Sequence, residues 1–118
     1  MINKGLDKRV QKVSCNQYCR VCAKHGIKKV AECGHHIIRR DDNLLRYDII
    51  NIMPVCYEHH QAIHDGKIKE VDIVNPDIWS YLQRVKNMSY KDFLIFELGL
   101  TEKEYFKQCR KKLKSLLN

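Results

Sequence analysis

The chain has 118 residues, of which 44% are hydrophobic and 31% charged, with a formal net charge of +8. That length allows one compact domain, or a small core with helical extensions, and no apolar run approaches the ~18 residues that a membrane-spanning helix needs, so a membrane span is excluded. Residues 1–30 hold eight Lys/Arg against one acid and residues 101–118 six against two, while residues 31–75 hold five against eight. Basic ends around a mildly acidic middle suit a protein that holds a polyanion near a cation-binding centre, although a well-solvated surface has the same signature.

In chain order, residues 1–18 show weak periodicity and are expected to form a basic arm or short helix. Cys19-Arg20-Val21-Cys22 reads as a tight metal knuckle. Residues 31–40 look extended, with β-branched Ile37 and Ile38, and Gly34 permits a bulge or a close backbone approach. Asp41-Asp42-Asn43 opens a turn, and a second extended piece covers roughly residues 49–55. Within that piece Pro54 lacks a donor and belongs at an edge or strand end. Residues 57–64 read as a short helix ending before Gly66. Asn75 and Pro76 then make an N-cap and first helical residue for a helix over about 76–87, with Trp79, Leu82 and Val85 at helical spacing. Ser89 with Asp92 resembles a capping box for a helix that presents Phe93, Leu94, Phe96 and Leu98 before Gly99. Thr101 with Glu104 is a capping box for the last helix. That helix carries Tyr105, Phe106, Cys109, Leu113, Leu116 and Leu117 on one stripe and Lys103, Lys107, Arg110, Lys111 and Lys114 on the other side.

Six cysteines raise the question of disulfides. The first thirty residues are strongly polar and carry no signal-like apolar run, so a reducing, cytoplasmic setting with free thiols is expected, as in a bacterial or phage-infected cell. Two knuckles, Cys19-x2-Cys22 and Cys56-x2-His59, supply four soft or borderline donors, the number and type that a structural Zn²⁺ prefers. Cys15 and Cys33 are alternative ligands outside the x2 spacing. The remaining histidines group separately. His60 and His64 are four apart on the expected helix and share a face, while His59 lies on another side. His35 and His36 are adjacent on an extended segment and point apart, so one can reach a metal while the other takes a proton.

Taken together, Glu32-Cys33-Gly34-His35-His36-Ile37-Ile38, Asn51-Ile52-Met53-Pro54-Val55-Cys56 and His59-His60-Gln61-Ala62-Ile63-His64 resemble the HNH, or ββα-metal, nuclease superfamily over residues 19–66. The separations are fifteen residues from His36 to Asn51 and nine from Asn51 to His60. The resemblance implies an α+β fold: a small ββα-metal core with a structural zinc knuckle over 19–66, a basic arm over 1–18, and a helical extension over 67–118 that ends in a basic helix. It implies a metal-dependent DNA endonuclease with His36 as general base and Asn51 ordering the loop between strands and orienting that base. His35, His60 and His64 would hold a catalytic divalent cation, Mg²⁺, Mn²⁺, Ni²⁺ or Zn²⁺, with His35 at a position often held by Asp. Cys19, Cys22 and Cys56 match zinc-binding cysteines, and His59 stands where a fourth cysteine is more frequent. Arg39, Arg40, Lys67, Lys107 and Lys111 are candidate DNA contacts, Trp79 reads as core, and a homodimer would ease cutting of both strands. A zinc-stabilised nucleic-acid-binding module without nuclease activity is the alternative, but it does not require the extra histidine sets. A redox protein built on Cys19-x2-Cys22 explains none of the histidines.

Overall fold

Side chains that close the first turn fix where several helices begin. The computed structural model describes residues 3–39 and 45–117. Helix α1 (Lys4–Ser14) starts at Asn3, whose side chain accepts the Leu6 amide at 3.0 Å. Helix α2 (Arg20–Lys24) is a single short turn on the Cys19 knuckle. Strands β1 (Cys33–His36) and β2 (Ile52–Val55) pair antiparallel, and α3 (Tyr57–His64) follows β2 directly. Helix α4 (Pro76–Val85) begins on Asn75, α5 (Tyr90–Asp92) on Ser89, and α6 (Glu102–Leu117) on the reciprocal Thr101–Glu104 box. The fold is therefore α+β, with six α-helices and one two-stranded sheet among the described residues. None of these helices is long and apolar enough to cross a membrane.

Several elements differ from their sequence expectation. The first strand is shorter than 31–40, because the chain bends at Ile37 and Ile38. Residues 49–51 form a 3-10 turn instead of strand, since Asp48 accepts the Ile50 amide through its side chain and the Asn51 amide through its carbonyl. The helix expected over 76–87 ends at Val85. The segment after α5 is a π-helical run over Phe93–Leu98, closed by the Leu100 amide on the Leu94 carbonyl; Phe93 and Leu94 are buried and Phe96 is exposed. The Asp41-Asp42-Asn43 turn lies outside the described residues.

Two hydrophobic clusters hold the molecule. The larger joins Leu6, Val10 and Val13 of α1 to Leu45, Leu82, Val85, Phe93 and the Tyr105, Cys109, Leu113 stripe of α6. Of the arm or short helix expected over 1–18, the described residues form the helix, packed by these three side chains. The smaller cluster gathers Val21, Met53, Val55, Ile63 and Val74 around Cys19, Cys22 and Cys56, with Trp79 packed on its margin.

Helix α1 also docks on the sheet. The Gly34 amide donates to Gln11 Oε1 at 2.9 Å and the Gln11 Nε2 group donates to the Gly34 carbonyl at 3.4 Å, so a side-chain amide stands in for a third strand. Partners in an antiparallel ladder either exchange both hydrogen bonds or none. The Gly34 amide turns outward to Gln11, so its partner Pro54 costs the ladder nothing. A Cβ at Gly34 would strike Ser14 Oγ and lie 2.9 Å from Ile52 Cγ2. The close approach permitted by this glycine is what the α1–sheet contact uses. Gly34→Ala is expected to destabilise the fold by about 1–3 kcal/mol through overpacking, read as a lower urea midpoint with an unchanged slope. The same change made in a Ser14→Ala background should cost less, because the nearest atom is gone.

Candidate metal centres

The first centre forms where a hairpin, a strand end and a helix meet. The Cys19 amide donates to the Lys29 carbonyl and the Ala31 amide to the Gln17 carbonyl, closing residues 17–31 into a loop around the α2 turn. This aims Cys19 and Cys22 inward at Cys56, which joins β2 to α3, and at His59, in the first turn of α3. The His59 Nδ1 atom lies 3.6 Å from Cys19 Sγ, 3.4 Å from Cys22 Sγ and 3.3 Å from Cys56 Sγ. Cys22 Sγ and Cys56 Sγ are 4.0 Å apart. Donors placed ~2.0–2.3 Å from one tetrahedral ion would be spaced by roughly 3.6 Å for N–S and 3.8 Å for S–S. The residues therefore fit a tetrahedral soft-metal site.

The thiol acidities agree with that fit. Burial raises the Cys19 thiol, but hydrogen bonds with the Cys22 backbone, the His59 ring and the Cys56 backbone outweigh it and bring it to about 6. Burial and the neighbouring Cys19 and Cys56 push Cys22 up to about 12. Three crowded thiols resist losing all their protons until a cation offsets the charge, which is the service a bound metal performs. Cys15 donates its thiol to the Glu32 carbonyl and Cys33 to the Val55 carbonyl, and neither belongs to the four-donor group.

The second group uses the opposite side of α3. His60 Nε2 and His64 Nε2 are 3.0 Å apart, the spacing of two nitrogens at right angles on an ion ~2.1 Å away. Their ring centroids lie 5.3 and 5.5 Å from that of His35 on β1, and one nitrogen from each of the three rings falls within 4.8 Å of the others. Burial and the adjacent His35 and His64 hold His60 below the usual imidazole value, so it is held neutral, as a metal ligand must be. The three histidines can accept one divalent ion with positions left over for other ligands.

His35 and His36 point to opposite sides of β1, as neighbours on a strand do. His35 is buried against α3 and its Nε2 meets Glu70 Oε2 at 3.0 Å. His36 Nε2 meets the Arg46 carbonyl at 2.9 Å. A carbonyl only accepts, so this contact holds the neutral ring as the Nε2–H tautomer, with its basic lone pair on Nδ1. Arg46 is itself fixed by a two-pronged pair with Asp7 of α1, at 2.8 and 2.9 Å. All four residues His35, His36, His60 and His64 line one open cavity of about 800 Å³, together with Arg39, Arg46, Gln11 and Glu70.

Asn51 does not line that cavity. It is 1% exposed and clips the inter-strand loop, accepting the Ile38 amide at 2.7 Å and donating to the Ile38 and Leu45 carbonyls. It thus orders the loop between the strands, as expected of it, from a buried position. Arg39 is exposed on the cavity rim, while Lys67, Lys107 and Lys111 are exposed away from its lining; Arg40 lies outside the described residues. Glu70, Arg46 and Gln11 carry no motif and were not singled out by sequence. Each reaches the cavity through a contact spanning 23 to 39 positions along the chain. Comparison with protein-family models, with curated proteins and with solved structures returned no match.

The two groups predict different consequences of losing a ligand. Cys56→Ala is expected to release a tightly held metal and unfold the chain, whereas His64→Ala should keep that metal and its circular dichroism spectrum. Metal analysis of the purified variants checks this, and a folded Cys56→Ala beside an unfolded His64→Ala would show the ligands are partitioned wrongly.

Proposed function

We propose that the chain is a metal-dependent DNA endonuclease of the HNH (ββα-metal) type, with a structural Zn²⁺ on Cys19, Cys22, Cys56 and His59. The observation that carries this reading is the convergence of His35, His60 and His64 within 4.8 Å, beside a fourth imidazole, His36, in the same open cavity. A structural metal alone would need none of these four. The three converging residues would hold the catalytic divalent cation, which supplies electrostatic stabilisation of the charge that develops on phosphate during hydrolysis. The candidate ions are Mg²⁺, Mn²⁺, Ni²⁺ and Zn²⁺.

The protein's own groups have distinct tasks in this scheme. His36, oriented by the Arg46 carbonyl, takes the proton of the attacking water at Nδ1. Asn51 holds the loop ends at Ile38 and Leu45, and so keeps the segment leading to Arg46 in place. Arg39 sits on the cavity rim, where a phosphate of the scissile strand would pass. Lys67 and the basic face of α6, including Lys107 and Lys111, extend the cationic surface for the duplex backbone. Two copies arranged symmetrically would place one centre on each strand.

Purified protein is to be incubated with supercoiled plasmid and a short duplex in Mg²⁺, Mn²⁺, Ni²⁺ or Zn²⁺ buffer. Wild type should nick or linearise the plasmid, and His36→Ala should cleave about 10²–10⁴-fold more slowly, the usual worth of a positioned general base. Equal cleavage by both would remove His36 from the role. Inactivity of wild type with every metal, combined with retained DNA binding, would favour the zinc-stabilised binding module.

A further inference from the structure

The cavity contains one acidic side chain that the scheme above leaves unused. Glu70 lies six residues past His64, on a 3-10 turn over Glu70–Asp72. Its placement follows from the way α3 ends. Gly66 adopts a left-handed φ of 74°, and the amides of Lys67 and Ile68 fold back onto the Ala62 carbonyl at 2.9 and 3.3 Å. The chain therefore turns at the end of α3, and the amides of Ile73 and Val74 then close on the Glu70 carbonyl. The result brings Glu70 Oε2 to 3.0 Å from Nε2 of His35, with the His35 side chain 8% exposed and that of Glu70 27% exposed.

We infer that Glu70 is the positioning carboxylate of the three-histidine centre: it accepts the Nε2–H of His35 and leaves Nδ1 of that ring as the metal-binding nitrogen. This rests on the proposed catalytic metal site and deepens it. Glu70 is not itself part of the group of donors that lie within 4.8 Å of one another, and its contact is with His35 alone of the three rings. A carboxylate in that position selects one tautomer, locks the ring angle and raises the basicity of the nitrogen on the far side. The need is specific to His35. His60 and His64 are set by their spacing on one helix, whereas His35 comes alone from a four-residue strand and has to be aimed across the cavity.

The test compares wild type, Glu70→Ala and Glu70→Gln, each with zinc already on the cysteine site, and measures Co²⁺ or Ni²⁺ binding by chelator competition. Proton spectra of the Co²⁺-loaded proteins then follow the shifted, exchangeable ring N–H signals. Glu70→Ala is expected to stay folded, to bind the second metal about 10–100-fold more weakly, and to lose one slowly exchanging ring N–H signal. Glu70→Gln keeps an acceptor oxygen without the charge and should fall between the two. Unchanged affinity and an unchanged N–H signal in Glu70→Ala would overturn the positioning role while leaving the three-histidine centre intact. A wild type that takes up no second metal would overturn the centre and this inference together.

Discussion

Eight residues of helix present two groups of possible metal donors at once, and most of the architecture follows from that constraint. On α3, His59 and His60 are consecutive, so their side chains leave the helix axis about 100° apart. One turns to the cysteines and the other, with His64, turns to His35. The helix cannot rotate to improve one group without spoiling the other. Its rotational setting is fixed at the base by Cys56, the single residue between β2 and the helix, whose thiol faces His59 and the other cysteines instead of capping the helix. A metal held by Cys19, Cys22, Cys56 and His59 would therefore do more than stabilise a small core. It would set the angle at which the two imidazoles of the second group are presented, which is the role an outer structural site plays for an inner chemical one.

The other half of the cavity is built by a different logic. His36 and its carbonyl partner are not held by any helix of the histidine segment but by Asp7 and Gln11, both on α1, and by the Asn51 clip. The Asp7–Arg46 pair is largely buried, and removing either member would leave the other poorly solvated. Two independent supports thus meet over β1. The α3 side gathers the three histidines that could hold an ion, and the α1 side fixes the carbonyl that orients the His36 ring. Adjacent residues on a strand are a simple way to bring both supports to one place, because His35 and His36 face opposite sides while their backbones stay joined.

What could be read in advance was local. Cap residues mark the starts of α4 and α6, and the i, i+4 spacing of His60 and His64 gives them a shared face. The two x2 knuckles similarly singled out the four donors that do lie together, and the sequence left Cys15 and Cys33 as alternatives that the geometry sets aside. What escaped was nonlocal. Glu70 meets His35 across 35 positions and Arg46 meets Asp7 across 39, and nothing in the neighbourhood of either residue marks the partner. Over residues 1–18 the sequence left a basic arm and a short helix open, because basic residues dominate the composition and the three apolar side chains that bury the helix, Leu6, Val10 and Val13, are too sparse to signal a packed face on their own. The extended segments were overlong because β-branched residues favour strand locally, whereas Asp48 and the bend at Ile37 decide where pairing stops.

A two-stranded sheet exposes both of its margins, and unpaired margins invite further chains to join by backbone pairing. Here neither offers an open template. The Gln11 carboxamide occupies the outward amide and carbonyl of Gly34 on one margin, and the ring of Pro54 removes the facing donor on the other. At Gly34 and Pro54 the ribbon that carries the cavity thus gives an incoming strand nothing to pair with.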